Sequence, residues 1–409
     1  MSGWRRVAAS VGGAAVLAMS LIGCDGGSSG ATGSASPGGT TSATTRPSQP
    51  PTTTTPPSTP AKSCVQRTLD ELSLAERVGQ LFMAGVQVDR TPAFVSARLG
   101  SAHVGSVLLV GQSTGGVDDV ATAVRRARTV AGAPAGVHPV VAVDQEGGLV
   151  QHLKGPGFAT IPSASVQGDL APSELARRAE GWGDDLRAAG VNLDLAPVAD
   201  VVPASIGTAN RPIGALHRGY GSDPAAVGEH VAAFIRGMAA ARVATAVKHF
   251  PGLGKVRGNT DFSSGVTDTV TTRHDPDLLS FKAGLDAGAR FLMVSLATYT
   301  RIDSHHRAVF SNTVVDGMVR HDLGFDGVVL SDDLGAAEEV KAVPPARRAL
   351  DFLNAGGDLI VVKAPSLLPA MTGAVIAEAR ADPAFRSAVD QHVLRTLAAK
   401  QSMGLLTCS

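Results

Sequence analysis

The sequence has few aromatic residues, only three cysteines and no net charge. Aromatic residues make up 4% of its 409 positions, and 36 lysines and arginines balance 36 aspartates and glutamates. Nucleic-acid-binding proteins usually carry a basic face, so this balance gives no electrostatic reason to expect a nucleic-acid partner. By contrast, 44% of the residues are hydrophobic and 47 are glycine, which allows a large core with many tight turns. The length fits one large domain or two ordinary ones.

The apolar segment near the N-terminus is too short to span a membrane comfortably. Arg5-Arg6 precede this segment, residues 7–22, and Cys24 follows directly after Leu-Ile-Gly. A basic start, a short apolar core and small residues before a cleavage site are typical of a secretory signal. The cysteine resembles that of the lipobox of bacterial lipoproteins. We therefore expect residues 1–23 to be a lipoprotein signal peptide and Cys24 to be lipidated, with an ordinary signal or a short membrane anchor as the alternatives.

A segment poor in apolar residues follows. Residues 25–62 are mostly Gly, Ser, Thr and Pro, and such a composition cannot bury enough surface to fold. We expect residues 24–62 to be the lipidated cysteine and a disordered tether. The tether would hold a folded domain, residues 63–409, at the outer face of the cytoplasmic membrane.

The other two cysteines lie at the two ends of this domain. They are Cys64 and Cys408, and an exported protein occupies a compartment where disulfides form. A bridge between them would stabilise the domain by about 4–5 kcal/mol in the chain-entropy model. We expect this disulfide, and two unpaired buried thiols are the alternative.

Eight short apolar runs alternate with longer amphipathic stretches after Cys64. The runs are residues 81–84, 106–110, 140–143, 193–196, 244–247, 291–294, 327–330 and 359–362. Continuous apolar strands that alternate with helices, such as 173–189 and 224–240, indicate a parallel sheet covered on both faces. Eight such units predict an α/β fold of the (β/α)8 TIM-barrel type in a single domain. No Gly-x-Gly-x-x-Gly motif follows the first run, which argues against dinucleotide binding.

Two irregular segments are too long to be simple connections between a strand and a helix. They are residues 160–167 and 203–221. We expect both to be elaborated loops on the face that carries the functional site.

Charged residues follow three of the apolar runs. Asp144 follows the third run, Lys248-His249 the fifth, and Asp332-Asp333 the seventh. In a parallel barrel, functional sites are built at the carboxyl ends of the strands. A carboxylate such as Asp332 could attack an anomeric carbon. Alternatively, Asp332 or Asp333 caps the following helix, and Lys248-His249 is a buried polar pair that braces a loop.

The three charged segments resemble motifs of glycoside hydrolase family 3. Asp144-Gln145-Glu146-Gly147-Gly148, Lys248-His249-Phe250-Pro251-Gly252 and residues 325–333 occur in the order and spacing of that family. In particular they are similar to its single-barrel bacterial β-N-acetylglucosaminidases. The resemblance covers residues 64–406.

The resemblance implies roles for individual residues. Asp332 corresponds to the family's nucleophile. Arg218 matches the family's arginine before a Ser-Phe-Gly-Ser-Asp-Pro-like run, with Arg211 as a second candidate and a solvated loop arginine as the alternative reading of Arg218. The residues that would hold the hydroxyl groups of the sugar are Asp144, Lys248 and His249.

The sequence departs from the family pattern at the general acid/base. Related glucosaminidases carry Asp-x-His shortly after the Lys-His-Phe-Pro-Gly loop, whereas this chain has Asn259-Thr260-Asp261. Asp261 stands where the imidazole would be, and a carboxylic acid is the usual general acid of glycosidases. A turn-forming role is the alternative for Asp261. Three further positions also differ, with Leu149 and His152 where arginines are common and Leu253 where a histidine is usual.

These observations predict an envelope-anchored, retaining exo-β-glycosidase. The resemblance implies a β-N-acetylglucosaminidase that hydrolyses cell-wall fragments of the muropeptide type. The alternatives are a sugar-binding lipoprotein with weakened catalysis, and a β-glucosidase or phosphorylase of the same family. We expect no cofactor and no metal, because the remaining histidines lack metal-ligand spacing and no calcium-loop pattern occurs. We also expect a monomer whose partners are its carbohydrate substrate and, through the lipid anchor, the membrane.

Overall fold

Eight parallel strands alternate with helices along the chain and form one barrel. The computed structural model describes residues 62–89 and 93–407. The barrel strands are β1 (Phe82–Gln87), β2 (Ser106–Val110), β3 (Val140–Val143), β4 (Leu193–Asp194), β5 (Ala244–Phe250), β6 (Phe291–Val294), β7 (Val328–Ser331) and β8 (Ile360–Val362). Each strand from β1 to β6 pairs with the next one in the chain, and β8 pairs with β1.

The barrel is nearly closed. A single parallel bridge between Leu330 of β7 and Leu359, next to β8, links the two ends of the sheet. All eight apolar runs predicted as strands overlap a barrel strand. The predicted (β/α)8 TIM-type fold is therefore confirmed.

Helices cover the outer surface of the barrel. They are α1 (Cys64–Glu71), α2 (Leu74–Gly79), α3 (Ala93–Ser101), α4 (Gly116–Ala131), α5 (Ala164–Gln167), α6 (Pro172–Ala188), α7 (Pro224–Ala240), α8 (Leu278–Asp286), α9 (the π-helix Thr313–Asp322), α10 (Pro345–Asn354), α11 (Leu368–Ala381) and α12 (Pro383–Ser402). The start of α7 shows how sequence sets these bounds. The Asp223 side chain accepts a hydrogen bond from Ala226 N, and Pro224 occupies the first helical position, where its missing N–H costs nothing.

Short strands and 3-10 turns lie in the loops. The strands are Gln145–Gly147 with Val150–Gln151, and Thr267–Asp268 with Thr298–Tyr299 and Asp303–Arg307. The 3-10 turns are Pro134–Gly136, Gly207–Ala209, Gly214–Leu216, Ala308–Phe310, Glu338–Val340 and Pro365–Leu367.

The core has two layers because side chains alternate along each strand. In β6, Phe291 and Met293 belong to the cluster that fills the barrel, whereas Leu292 and Val294 pack in the larger cluster that includes helix residues. A strand directs successive side chains to opposite faces, so one apolar run serves both layers. The filled interior closes the barrel from below and leaves the carboxyl ends of the strands as the place for a cavity.

Several predictions for the ends of the chain concern residues that the structure does not describe. These are the signal peptide, Cys24, the tether up to residue 61, and Cys408. Cys64 is disulfide-bonded, and its pairing with Cys408 stays a prediction. Within residues 62–89 and 93–407, no helix is long and apolar enough to cross a membrane.

Candidate active site

A cavity of about 240 Å³ opens at the carboxyl ends of the barrel strands. Its floor is apolar and consists of barrel-interior residues such as Leu108 and Met293. Its walls include every residue predicted for catalysis or sugar binding: Asp144, Arg218, Lys248, His249, Asp261 and Asp332. The barrel therefore brings together side chains that the sequence places on four different strand-to-helix segments.

Lys248 lies between two carboxylates in this cavity. It belongs to β5, and its side chain is 2% exposed. Its Nζ donates a hydrogen bond to Asp144 Oδ1 at 2.7 Å and forms an ion pair with Glu146 Oε1, also at 2.7 Å. An ammonium group has three N–H donors. The third N–H can therefore meet a substrate oxygen.

Arg218 reaches the same carboxylate pair from the long segment 203–221. Its Nε and Nη2 donate to the two oxygens of Glu146 at 2.8 and 2.7 Å, and its Nη1 donates to Pro212 O at 2.9 Å. This fork geometry fixes the guanidinium plane, so the arginine is not a solvated loop residue. Arg211, the second candidate, is exposed at the protein surface. The prediction that segment 203–221 forms part of the site face is confirmed.

The charges in this cluster hold its carboxylates ionised. Burial by itself would raise the pKa of both acidic groups, since it disfavours their charged forms. Lys248 and Lys363 reverse this effect and hold the pKa of Asp144 well below its usual range. Arg218 and Lys248 lower the pKa of Glu146 to about 2. At neutral pH the cluster thus contains two carboxylates with their cations.

Asp194, at the end of β4, is different because it forms no ion pair with any of the described residues, and the more distant charge of Lys248 does not offset its burial. Burial raises the pKa of Asp194 to about 8. One oxygen accepts a hydrogen bond from Gln145 N at 3.0 Å, while Oδ2 has no hydrogen-bond partner among the described residues. This carboxyl group is consequently protonated at neutral pH.

His249 is held by Asp200, a residue that the sequence analysis did not single out. His249 Nδ1 lies 2.7 Å from Asp200 Oδ2, and Asp200 Oδ1 accepts hydrogen bonds from the backbone N–H groups of His249 and Leu253 at 3.2 and 2.7 Å. Asp200 is fully buried. Since a carboxylate can only accept, it places a proton on Nδ1 and leaves Nε2, 3.4 Å from Arg218 Nη2, facing the cavity. His249 and Asp200 therefore brace the loop, a role that the alternative interpretation gave to Lys248-His249, and His249 also lines the cavity.

Asp332 and Asp333 have separate environments. Asp332 directly follows β7 and lines the cavity. Asp333 is buried and accepts hydrogen bonds from the backbone N–H groups of Gly335 and Ala336 at 2.8 and 3.0 Å, which braces the turn after the strand. Asp332 is therefore the one of the two that is free to meet a substrate.

Asp261 lies in a turn at the mouth of the cavity. Its backbone N–H donates to Asn259 Oδ1 at 2.9 Å, so the side chain that forms this turn is that of Asn259 and not that of Asp261. The residue is exposed, and it lines the cavity together with Asp332. Burial and the charge of Asp261 raise the pKa of Asp332, while His249 opposes the rise. The turn thus presents the Asp261 carboxylate to the nucleophile candidate.

The loop that carries Asp261 is fastened to the segment after β7. Glu339 N donates to Thr260 O at 3.1 Å, and Glu338 N donates to Asp261 O at 3.2 Å. The Glu339 side chain is buried and accepts hydrogen bonds from Val266 N and from Arg307 Nε, both at 2.8 Å. The candidate acid and the candidate nucleophile are therefore positioned by one connected segment.

The family departures take different places in the structure. Leu149 is exposed and does not line the cavity, and Leu253 is buried beside it. His152 lines the cavity and its Nδ1 lies 2.6 Å from Gly111 O. Among the described residues, no group of three or more His, Cys, Asp or Glu is arranged to hold a metal ion.

Three cavity or near-cavity residues were missed by the sequence analysis, namely Glu146, Asp200 and Lys363. Glu146 stood in the quoted Asp144 motif, and Lys363 directly follows an apolar run, so the rule that charge follows a strand could have found both. Asp200 has no such signal, since it lies six residues beyond β4 in an irregular segment.

The fold and the cavity define a (β/α)8-barrel enzyme with a site built from carboxylates and their cations. Residues 73–397 match the sequence profile described as the glycosyl hydrolase family 3 N terminal domain. The chain belongs to glycoside hydrolase family 3 and is a glycoside hydrolase.

Individual relatives agree with this assignment. The chain is 34% identical over 237 residues to a protein from Stenotrophomonas maltophilia named beta-hexosaminidase, which covers 56% of this chain and 68% of the relative. A solved structure of a beta-N-acetylhexosaminidase from Beutenbergia cavernae is 48% identical, with a TM-score of 0.79 over 81% of this chain and 99% of that one. A family 3 beta-N-acetylglucosaminidase from Paenibacillus is 26% identical, with a TM-score of 0.72 over 83% of this chain and 64% of that one.

Proposed function

We propose that this chain is a retaining exo-β-N-acetylhexosaminidase, most specifically a β-N-acetylglucosaminidase. The observation that carries the proposal is that Asp332 shares one small cavity with the paired cluster of Asp144, Lys248 and Arg218. A cavity of about 240 Å³ is the size of a site for one sugar ring rather than for a long chain. The solved relative from Beutenbergia cavernae is described as a beta-N-acetylhexosaminidase, and almost its whole length is matched.

The paired cluster would recognise the sugar. Asp144 offers acceptor oxygens to hydroxyl groups, and Lys248 offers its third N–H. The unprotonated Nε2 of His249 can accept a hydrogen bond from a hydroxyl group of the sugar. Because the cluster is already ion-paired and oriented, little of its side-chain freedom has to be lost when a sugar binds.

The proposed reaction has two steps. The Asp332 carboxylate attacks the anomeric carbon while Asp261 gives its proton to the glycosidic oxygen, so the C1–O bond breaks and the aglycone leaves as an alcohol. Asp261 then takes a proton from water, whose oxygen displaces Asp332 from C1. The sugar is released with retained configuration, and both carboxyl groups return to their starting states.

Hydrolysis of a chromogenic aryl β-N-acetylglucosaminide tests the proposal. Wild-type protein should release the phenol, and Asp332→Asn should lose at least a thousandfold in kcat because the amide cannot act as the nucleophile. Asp184→Asn, on an exposed part of α6, is the matched control and should keep full activity. Turnover that survives Asp332→Asn, or no turnover by the wild type, would contradict the proposal.

Leaving-group dependence separates this enzyme from a sugar-binding protein with weakened catalysis. If Asp261 is the acid, Asp261→Ala should lose far more activity on poor leaving groups than on activated aryl glycosides. If Asp261→Ala leaves the ratio of these two activities unchanged, the sugar-binding alternative is supported instead. Aryl glucosides and added phosphate in the same assay would reveal a β-glucosidase or a phosphorylase.

We also propose that the protein acts at the cell envelope on wall-derived N-acetylglucosaminyl fragments. The support is the lipobox-like sequence before Cys24 and the Ser/Thr/Pro/Gly-rich segment after it. Cys24→Ala should move the protein from the membrane fraction to the soluble fraction. Purified wall fragments should release N-acetylglucosamine when incubated with the wild type. Failure of either assay would remove the corresponding part of this proposal.

A further inference from the structure

The eighth strand carries a lysine into the cavity. β8 ends at Val362, and Lys363 lines the cavity together with Asp332 and Asp261. Its backbone position is tightly defined. Lys363 N donates a hydrogen bond to Asp333 Oδ1 at 2.9 Å. The Lys363 backbone also packs closely against Gly85 of β1, because a Cβ added to that glycine would lie only 2.7 Å from Lys363 O. The side chain therefore leaves from a fixed point where the two ends of the sheet meet.

Lys363 differs from the other cations of the cavity in its partners. Lys248 is paired with Asp144 and Glu146, and Arg218 is committed to Glu146 and a backbone carbonyl. In the part of the chain that the structure describes, Lys363 Nζ has no hydrogen-bond acceptor and no ion pair within 4.0 Å. An ammonium group inside a partly closed cavity without an acceptor is costly unless water or a ligand supplies one.

The carboxylates around Lys363 stabilise its charged form. Burial disfavours its charged form, but Asp144, Asp261 and Asp332 outweigh burial and raise the pKa of Lys363, with a smaller effect from Asp333. Lys363 in turn opposes the rise in the pKa of Asp332 that burial and Asp261 cause. Titratable groups thus face Asp332 from three directions: His249 from β5, Asp261 from the loop after it, and Lys363 from the end of β8.

We propose that Lys363 is a functional residue of this site, whose ammonium group is the counter-charge of the Asp332 carboxylate and donates a hydrogen bond to an oxygen of the bound sugar. This inference rests on the proposed function and names a residue that the family motifs quoted above do not contain. Without Lys363, the buried Asp332 carboxyl group would hold its proton to a higher pH, so the carboxylate that attacks would form only at higher pH. A sugar bound in the cavity would also lose one charged donor.

The test compares Lys363→Met, which keeps the length and removes the charge, with Lys363→Arg, which keeps the charge. Lys282→Met, an exposed lysine of α8 paired with Asp286, is the matched control. The acidic limb of the kcat/KM profile should move to higher pH by about one unit in Lys363→Met, and N-acetylglucosamine should bind about tenfold more weakly. In Lys363→Arg the acidic limb should lie close to its wild-type pH, and Lys282→Met should leave both measurements unchanged.

A second measurement does not depend on glycosidase activity. The ¹³Cγ signal of Asp332, assigned by its loss in Asp332→Asn, can be followed against pH in aspartate-labelled protein. It should titrate at higher pH in Lys363→Met than in the wild type. If it titrates at the same pH in both, the inference is wrong, whatever the activity. If it shifts but the wild type hydrolyses no glycoside, the proposed function fails while the electrostatic role of Lys363 stands.

Discussion

At the scale of single residues, both ionised carboxylates of the proposed sugar-binding cluster are paired with cations. Lys248 Nζ lies 2.7 Å from Asp144 Oδ1 and 2.7 Å from Glu146 Oε1, and Arg218 donates two hydrogen bonds to Glu146. In a buried position such pairing is required, because an unpaired buried charge would destabilise the folded state by roughly several kcal/mol. Asp194 follows the other route open to a buried acid and stays protonated.

The protonated state of Asp194 predicts a pH-dependent stability. Its folded pKa, about 8, is raised above the unfolded value. The folded state therefore binds a proton that the unfolded chain has released, so this residue lowers stability progressively as the pH rises towards about 8. Asp194→Asn, which mimics the neutral acid, should raise Tm by several degrees at pH 8 and have little effect at pH 4.5. A difference in Tm that is the same at both pH values would contradict this assignment.

Asp200 is predicted to act through His249 and not on the substrate directly. In Asp200→Asn the amide can donate to Nδ1, which moves the imidazole proton to Nε2 and turns an acceptor towards the sugar into a donor. We expect kcat/KM to fall at least tenfold, mainly through KM. The double variant Asp200→Asn with His249→Gln should lose no more than His249→Gln alone. Additive losses, or a Tm that falls in step with activity, would indicate a merely structural role.

At the scale of the elements, one segment after β7 serves both halves of the proposed chemistry. Asp332 begins this segment, Asp333 braces its turn, and Glu338 and Glu339 hold the loop of Asp261 by backbone hydrogen bonds. The loop departs from β5, and these hydrogen bonds attach it to the segment that follows the strand of the proposed nucleophile. A displacement of this segment would therefore move Asp261 and Asp332, the proposed acid and nucleophile, at the same time.

Glu339→Gln should weaken this attachment because it removes the charge that binds Arg307. We expect kcat on a poor leaving group to fall about tenfold or more and kcat on an activated aryl glycoside to fall less, since only the former needs full protonation. Glu338→Gln is the matched control, because Glu338 is more exposed and pairs with Lys341 at the surface. Equal losses on both substrates would show that the substitution disturbs Asp332, the proposed nucleophile, instead.

At the scale of the whole molecule, the barrel joins its first and last elements. β8 pairs with β1, and α1 packs against α12. The disulfide of Cys64 lies at the start of α1, so a covalent link there would restrain the unfolded chain over the length of the loop that it closes. Cys64→Ser should therefore lower Tm by about 5–10 °C. Cys408→Ser should do the same if the predicted pairing holds, and an unaffected Tm in Cys408→Ser would refute that pairing.

Much of this protein could be predicted from the sequence because the relevant signals are local. Each apolar run is a strand buried on both faces, so its position is visible without knowing its neighbours. Residues that directly follow such a run, including Asp144, Lys248 and Asp332, must lie at the same end of a parallel barrel. The fold and most of the cavity wall follow from these two rules.

The rest depends on contacts between distant segments. Strict alternation would turn only one of Lys248 and His249 towards the cavity, but the β5–β6 register shifts between Val247 and Phe250, and both line it. Asp200 meets His249 from 49 positions away and Arg218 meets Glu146 from 72. Such pairings are properties of the closed barrel, and so is the position of Lys363, whose ammonium group has no acceptor among the described residues. The sequence by itself determined the barrel and which strand ends carry charge, because each buried strand is a short apolar run that can be recognised without its neighbours. Only the tertiary structure decided which charges are paired and which stay available for a substrate, because that depends on distances set by the fold.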